Sequence, residues 1–252
     1  MSDTMLRVLG WRALLIHGDP CVLDRWLWLR RHLRGGDLRT FDAGSGNGGF
    51  SIYAARRGNR VLAASFSARE QEDVRRRVQE LGVSGIELRT LDLREIEEHR
   101  EELGLFDQII CFETIEHVND DEGLVQSLAA MLAPAGRLLL TTPFDGHRPL
   151  YSEEPSPSPI EDGSHVRFGY SQQRLRQITQ DAGLEVDSEG FISGVVSQKV
   201  TDLMRRLTAR IGRMGAWLVV LPLRPLVIVD EPLSRLLGYP HLSVALSAIR
   251  PA

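Results

Sequence analysis

Asp42-Ala43-Gly44-Ser45-Gly46-Asn47-Gly48-Gly49-Phe50 is the stretch on which the reading of this chain turns. Leu38 to Phe41, just before it, reads as a short strand, and Phe50 to Arg57 as a helix closed by Gly58. A glycine-rich turn between strand and helix lets a ligand approach the backbone and aims the free amides of the helix N-terminus at it. The spacing has two readings. Gly44, Gly46 and Gly49 fit G-x-G-x-x-G, a dinucleotide signature. Gly44, Gly46 and Gly48, preceded by Asp42, fit acidic-x-G-x-G-x-G.

Outward from this turn the chain alternates. Strands are expected at 60–65, 86–91, 106–112, 137–142 and 184–191, with helices between them, and a last strand at 242–249. Ser67 and Glu70 form a capping-box pair. Pro134 and Gly136 predict a turn into the fifth strand. This rhythm predicts an α/β fold, a doubly wound, mostly parallel sheet of seven strands. The boundaries read as a helical N-terminal cap at 1–36, a core at 37–193 and a last strand at 240–252. A proline-rich substrate loop falls at 144–170 and a helical insertion at 197–238. Trp26 and Trp28 cannot share a helix face, so one is expected to pack and the other to be available.

Composition bounds the function. The 252 residues, 42% hydrophobic and 25% charged, suit one large domain with a sizeable core. A net charge of −4 provides no global basic field, so no nucleic-acid partner is expected. Two cysteines, Cys21 and Cys111, give neither a disulfide framework nor metal spacing. The N-terminus lacks a signal pattern, and the expected compartment is the cytoplasm.

The ordered motifs then resemble the class I S-adenosylmethionine-dependent methyltransferases. After the Asp42–Gly48 turn come Phe106-Asp107, then Phe112-Glu113-Thr114-Ile115-Glu116-His117, then Leu132-Ala133-Pro134-Ala135-Gly136-Arg137-Leu138, then Thr141-Thr142-Pro143, then His165 and Phe168. The resemblance implies S-adenosylmethionine as cofactor and S-adenosylhomocysteine as product. It implies that Asp42, Gly44, Ser45, Gly46 and Gly48 hold the methionine part. Asp92 and Leu93 would meet the adenine, and Phe112 and Glu113 would lie beside the methionyl group. One departure stands out: Ser65, not an acidic residue, ends the second strand, so weaker cofactor binding or a compensating partner is expected. Phe66 could stack on the adenine.

Methyl transfer is an in-line displacement that asks the protein to align a nucleophile and take its proton. His117 and His165 are the candidate catalytic bases, with helix capping and loop anchoring as their structural alternatives. Glu113-x-x-Glu116-His117 resembles the metal set of the ubiquinone-pathway O-methyltransferases and small-RNA terminal methyltransferases, yet also occurs in relatives without metal. The expectation is no metal, with a divalent ion at Glu113, Glu116 and His117 as the alternative. The 197–238 segment is read as a helical cover or homodimer surface, with a lipid contact as the reading not taken. The leading reading is an enzyme that methylates an oxygen of a small-molecule acceptor. The alternatives are a non-catalytic binding or scaffold protein and an NAD-dependent oxidoreductase.

Overall fold

The computed structural model describes residues 3–16, 20–148 and 156–252; Pro149 and Pro155 of the expected substrate loop lie outside them. The chain begins with helices α1 (Asp3–Leu9), α2 (Arg12–Ile16) and α3 (Pro20–His32). Then follow β1 (Arg39–Ala43), α4 (Gly49–Arg56), β2 (Arg60–Ser65), α5 (Ala68–Glu80) and β3 (Ile86–Thr90). Next come α6 (Ile96–Leu103), β4 (Phe106–Phe112), α7 (Asp121–Ala130), β5 (Leu132–Pro143), α8 (Gln172–Asp181) and β6 (Glu185–Ile192). The chain ends with α9 (Val195–Val220), α10 (Asp230–Leu237) and β7 (Ser243–Ile249), with 3-10 turns at Leu221–Val229.

One seven-stranded sheet runs in the order β3-β2-β1-β4-β5-β7-β6. β7 pairs antiparallel with both β5 and β6, and the other pairs are parallel. The parallel strands are apolar because helices cover both faces. Ile109, Ile110 and Cys111 of β4 are fully buried. Burial pushes the Cys111 thiol up, so it stays a packing group. One face is filled by Phe41, Phe106, Leu128 and Leu138, the other by Leu29, Ile52, Ile110 and Leu139.

Three details differ from the sequence reading. The turn expected at Pro134 and Gly136 lies inside β5 instead of before it: Ala135 takes φ +59°, and the partner of β4 jumps from Leu132 to Arg137 between Phe106 and Gln108. Both tryptophans of α3 pack: Trp28 against Phe112, and Trp26 against Trp11 and Tyr53. The stripe expected along 200–211 splits, since Val200 and Met204 are buried while Leu203 and Ile211 face solvent.

The topology also locates the site. The chain winds away from β1 in both directions, so a crevice opens at the carboxyl ends of β1 and β4. The glycine turn, the 113–117 segment and residue 92 all meet there.

Candidate active site

A cleft of about 420 Å³ sits at this switch point, within the range of small-molecule sites. Its floor is backbone. A Cβ on Gly44 would stand 2.3 Å from Thr114 Oγ1, so the turn presses directly on the segment after β4. Gly46 (φ +48°) lines the cleft, and a Cβ there would meet no atom within 4 Å. The space that a side chain would fill at Gly46 is left for a ligand. Gly48 acts differently from the expectation: a Cβ there would stand 2.6 Å from Val74 of α5, so its bareness serves helix packing.

Asp42 and Ser45 lie beneath the turn and do not line the cleft. The Asp42 carboxylate is fully buried and accepts the Ser51 hydroxyl. Burial raises its pKa to about 6. Ser45 accepts a long hydrogen bond, 3.5 Å, from Gln71. Phe112 points away as well, its ring edge-on to Phe50 and Trp28 in the core. These three side chains thus lie behind the turn and the strand and do not face the cleft.

Ser65 and Phe66 form one wall. The Ser65 hydroxyl donates to Glu70 Oε2 at 2.7 Å, and Phe66 is 65% exposed over the cleft. Ser67 does cap α5 through its hydroxyl, which accepts from the Glu70 amide. The Glu70 carboxylate, however, does not return to close a capping box; it is held at the cleft by Ser65. Sequence reasoning missed this second use of Glu70. Its signal was an acidic residue within one helical turn of a strand end that lacked one. Asp92 and Leu93 form the facing wall. Arg94 pairs with Asp92 and holds its carboxyl below the usual range, and also reaches Glu161 at 3.3 Å.

The segment after β4 forms the third wall. Glu113 takes φ +49°, a left-handed conformation rare for this residue, and its carboxylate accepts from Arg25 of α3 at 2.8 Å and from Thr141 at 3.0 Å. Arg25 was not expected in the site, and it ties the N-terminal cap to the strand end. Glu116 is fully buried; burial, with Glu113 adding to it, pushes its carboxyl well above the usual range. His117 lies beside it, Nε2 to Oε1 at 3.9 Å, and stacks edge-on with His165 at 4.7 Å between centroids. Among the described residues, Glu116 Oε1 and His117 Nδ1 are buried without a hydrogen-bond partner. One ligand atom from each of Glu116, His117 and His165 lies within 4.8 Å of the others. The alternative set of Glu113, Glu116 and His117 is not the one brought together: Glu116, His117 and His165 meet, while Glu113 is held by Arg25.

The described part of the proline-rich loop closes the opening. Val166 donates to the Glu116 carbonyl at 2.9 Å, Asn119 donates to Glu161 at 2.6 Å, and Glu161, Asp162 and Gly163 line the cleft.

An acidic-x-G-x-G-x-G turn at the switch point of a sheet whose last strand enters antiparallel defines the methyltransferase class. It departs from the parallel six-strand order of nicotinamide dehydrogenases. The comparisons agree. The family model described as "Methyltransferase domain" matches residues 23–189. The chain belongs to this family. A curated relative, the ubiquinone biosynthesis O-methyltransferase of Xanthomonas axonopodis pv. citri (strain 306), is 32% identical over 41% of this chain and 42% of its own length. The match thus spans less than half of that relative. An S-adenosylmethionine-dependent methyltransferase from Mesorhizobium loti superposes with a TM-score of 0.59 at 19% identity, covering 93% of this chain and 100% of its own. The [4+2]-cyclase SpnF superposes with a TM-score of 0.61 at 17% identity, covering 92% of this chain and 82% of its own. These structures establish the fold; a cyclase among them shows that the fold alone does not fix the reaction.

Proposed function

We propose that this chain transfers a methyl group from S-adenosylmethionine to an oxygen of a small-molecule acceptor. The observation that carries the proposal is the open backbone cradle at Gly46, facing Asp92 on one side and the Ser65–Glu70 pair on the other. The residues present fit the cofactor. Bare backbone accommodates the amino-acid part, Phe66 offers an exposed ring face to the adenine, and Glu70 offers a carboxylate for the ribose diol. The family's usual acid is absent at Ser65, and Glu70 replaces it from the next helix. When bound, the sulfonium supplies an activated methyl carbon for in-line displacement.

The chain's own residues do the rest. His117 lines the cleft and takes the acceptor's proton, with Glu116 packed behind it. His165 packs against the His117 ring and anchors the loop over it. The 156–170 loop and Arg25 shield the cleft from water. The oxygen acceptor is supported by the named activity of the relative in Xanthomonas. Incubation with methyl-labelled S-adenosylmethionine and a simple catechol tests the reading. A methyl ether in the product mass spectrum, lost on His117→Asn with cofactor affinity retained, is the expected result. Tight cofactor binding with no transfer to any oxygen, nitrogen or carbon acceptor would point to the scaffold alternative.

The Glu116, His117 and His165 cluster favours a second reading, in which a divalent cation polarises the acceptor oxygen. A carboxylate and two imidazoles suit such an ion, and the unbonded Glu116 Oε1 is a ready ligand. EDTA treatment distinguishes the two: activity that disappears and returns with magnesium supports the cation, and unchanged activity leaves His117 as the base.

A further inference from the structure

The helical insertion carries a surface that the cofactor cleft does not account for. Within Val195–Leu237 an 18-residue window reaches a mean hydropathy of 1.5, yet only 22% of it is buried. Gly212, at φ +73° and ψ +165°, breaks α9 into two arms. The arms lie against each other, with Ala216 and Val220 of the second packed on Val200 and Met204 of the first. The second arm spends its inner face on this contact and on Trp217, whose indole donates to the Ile16 carbonyl at 2.8 Å.

What remains outside is apolar. From Met214 to Val229 the chain has a single ionisable side chain, Arg224, and that one is buried. Its solvent face is therefore made of side chains such as Leu218, Val219, Leu226, Ile228 and Val229, with Ile228 84% exposed. A helix that is apolar on all sides is buried in a core or sits in lipid, and a contiguous patch of this kind on a soluble surface marks an interaction site.

Charge decides what covers it. Residues 197–238 hold seven Lys and Arg against three Asp and Glu, a net +4, while the whole chain is −4. Arg210 and Arg213 stand at the edge of the apolar face, exposed and outside every ion pair among the described residues. A two-fold dimer through this face would bring two net-positive segments together. An anionic lipid surface neutralises them and takes up the apolar side chains at once.

The hairpin's base fixes how it can enter. Asp230, buried at the start of α10, accepts from the amides of Gly194 at 2.8 Å and Val196 at 2.7 Å; Ser234 accepts from Val195 at 2.8 Å. The segment thus returns to its own starting point. It can dip into one leaflet and cannot cross. It also leaves the sheet after β6 and rejoins it at β7, at the edge where Ile192, Ser243 and Pro143 lie in register, the same edge that carries the cleft.

We propose that the 212–229 tip is a monotopic anchor that binds this protein to anionic bilayers. The sequence reading favours a helical cover or a homodimer surface over a lipid contact for this segment. Flotation of the full chain with phosphatidylcholine vesicles, with and without phosphatidylglycerol, tests it without reference to catalysis. The chain is expected to float with the anionic vesicles and to release as salt is raised. Leu218→Ser with Ile228→Ser is expected to lower vesicle affinity by about tenfold or more, both side chains being exposed, at a little-changed melting temperature. Arg210→Glu with Arg213→Glu is expected to abolish the preference for anionic over neutral vesicles at an unchanged melting temperature. Failure of the full chain to float with anionic vesicles would overturn the proposal. So would flotation unaffected by the serine pair, or light scattering that shows a dimer dissolved by the same substitutions.

Discussion

Ser65 and Glu70 together do what one acidic side chain at a strand end would do. The hydroxyl donates to the carboxylate at 2.7 Å, which leaves the second carboxylate oxygen for a ligand diol. Glu70→Gln should therefore weaken S-adenosylmethionine binding by roughly ten- to a hundredfold, the worth of a hydrogen bond to a charged group. Ser67 still caps the helix, so the melting temperature should hardly move; titration calorimetry and thermal denaturation read the two effects separately. Asp42 gives a pH prediction of opposite kind. Its folded pKa is raised to about 6 from 3.8, so the folded state binds the proton more tightly than the unfolded chain. Its neutral form is at ease in the core, and its charged form costs stability as pH rises through that window. Asp42→Asn, which cannot charge, should gain on the parent by roughly 2–3 kcal/mol between about pH 4 and pH 7 in urea unfolding. At this scale the sequence was a partial guide. It singled out Gly46, Asp92, Glu113 and His117, which the fold brings together around one cleft. It did not show that the side chains of Asp42, Ser45 and Phe112 turn under the backbone, because spacing along a strand end does not show which way they face. Glu70 was overlooked although its place one helical turn past the strand end was a signal, and Arg25, which reaches Glu113 from α3, had none.

The glycines of the strand–turn–helix element separate two physical demands that a single motif hides. Gly48 faces Val74 and Gly46 faces open cleft. Gly48→Ala should thus destabilise the fold by roughly 2–4 kcal/mol through the clash and the left-handed backbone, read as a lowered melting temperature. Gly46→Ala should cost only the backbone strain, about 1 kcal/mol, yet reduce cofactor affinity at least about tenfold. If both substitutions acted alike on stability and affinity, the division of roles would be wrong. Most elements were legible because their stop signals are local, such as Gly58 after α4 and Gly183 after α8, both at positive φ. The turn at Pro134 and Gly136 was legible, but not its place inside β5, where Ala135 donates to the Arg250 carbonyl at 3.0 Å, a residue far along the chain.

Across the whole molecule, the alternation of strands and helices forecast a parallel doubly wound sheet, and the seven strands follow. The order of β7 before β6 in the sheet carries no local signature, yet it separates this class from the dinucleotide folds. The insertion was recognised as helical and as a departure from the alternation. Its apolar side was read as a cover over the sheet or a homodimer surface, because periodicity gives a stripe without saying which neighbour meets it. The sheet, the cap tied in by Arg25 and the loop over His117 converge on one cleft, and the account stands on what that cleft holds. Calorimetric titration of S-adenosylmethionine into the full chain tests this most directly. The account predicts one site per chain of about micromolar affinity, weakened in Gly46→Ala and not displaced by NAD. No heat of binding, or equal affinity in Gly46→Ala, would contradict it.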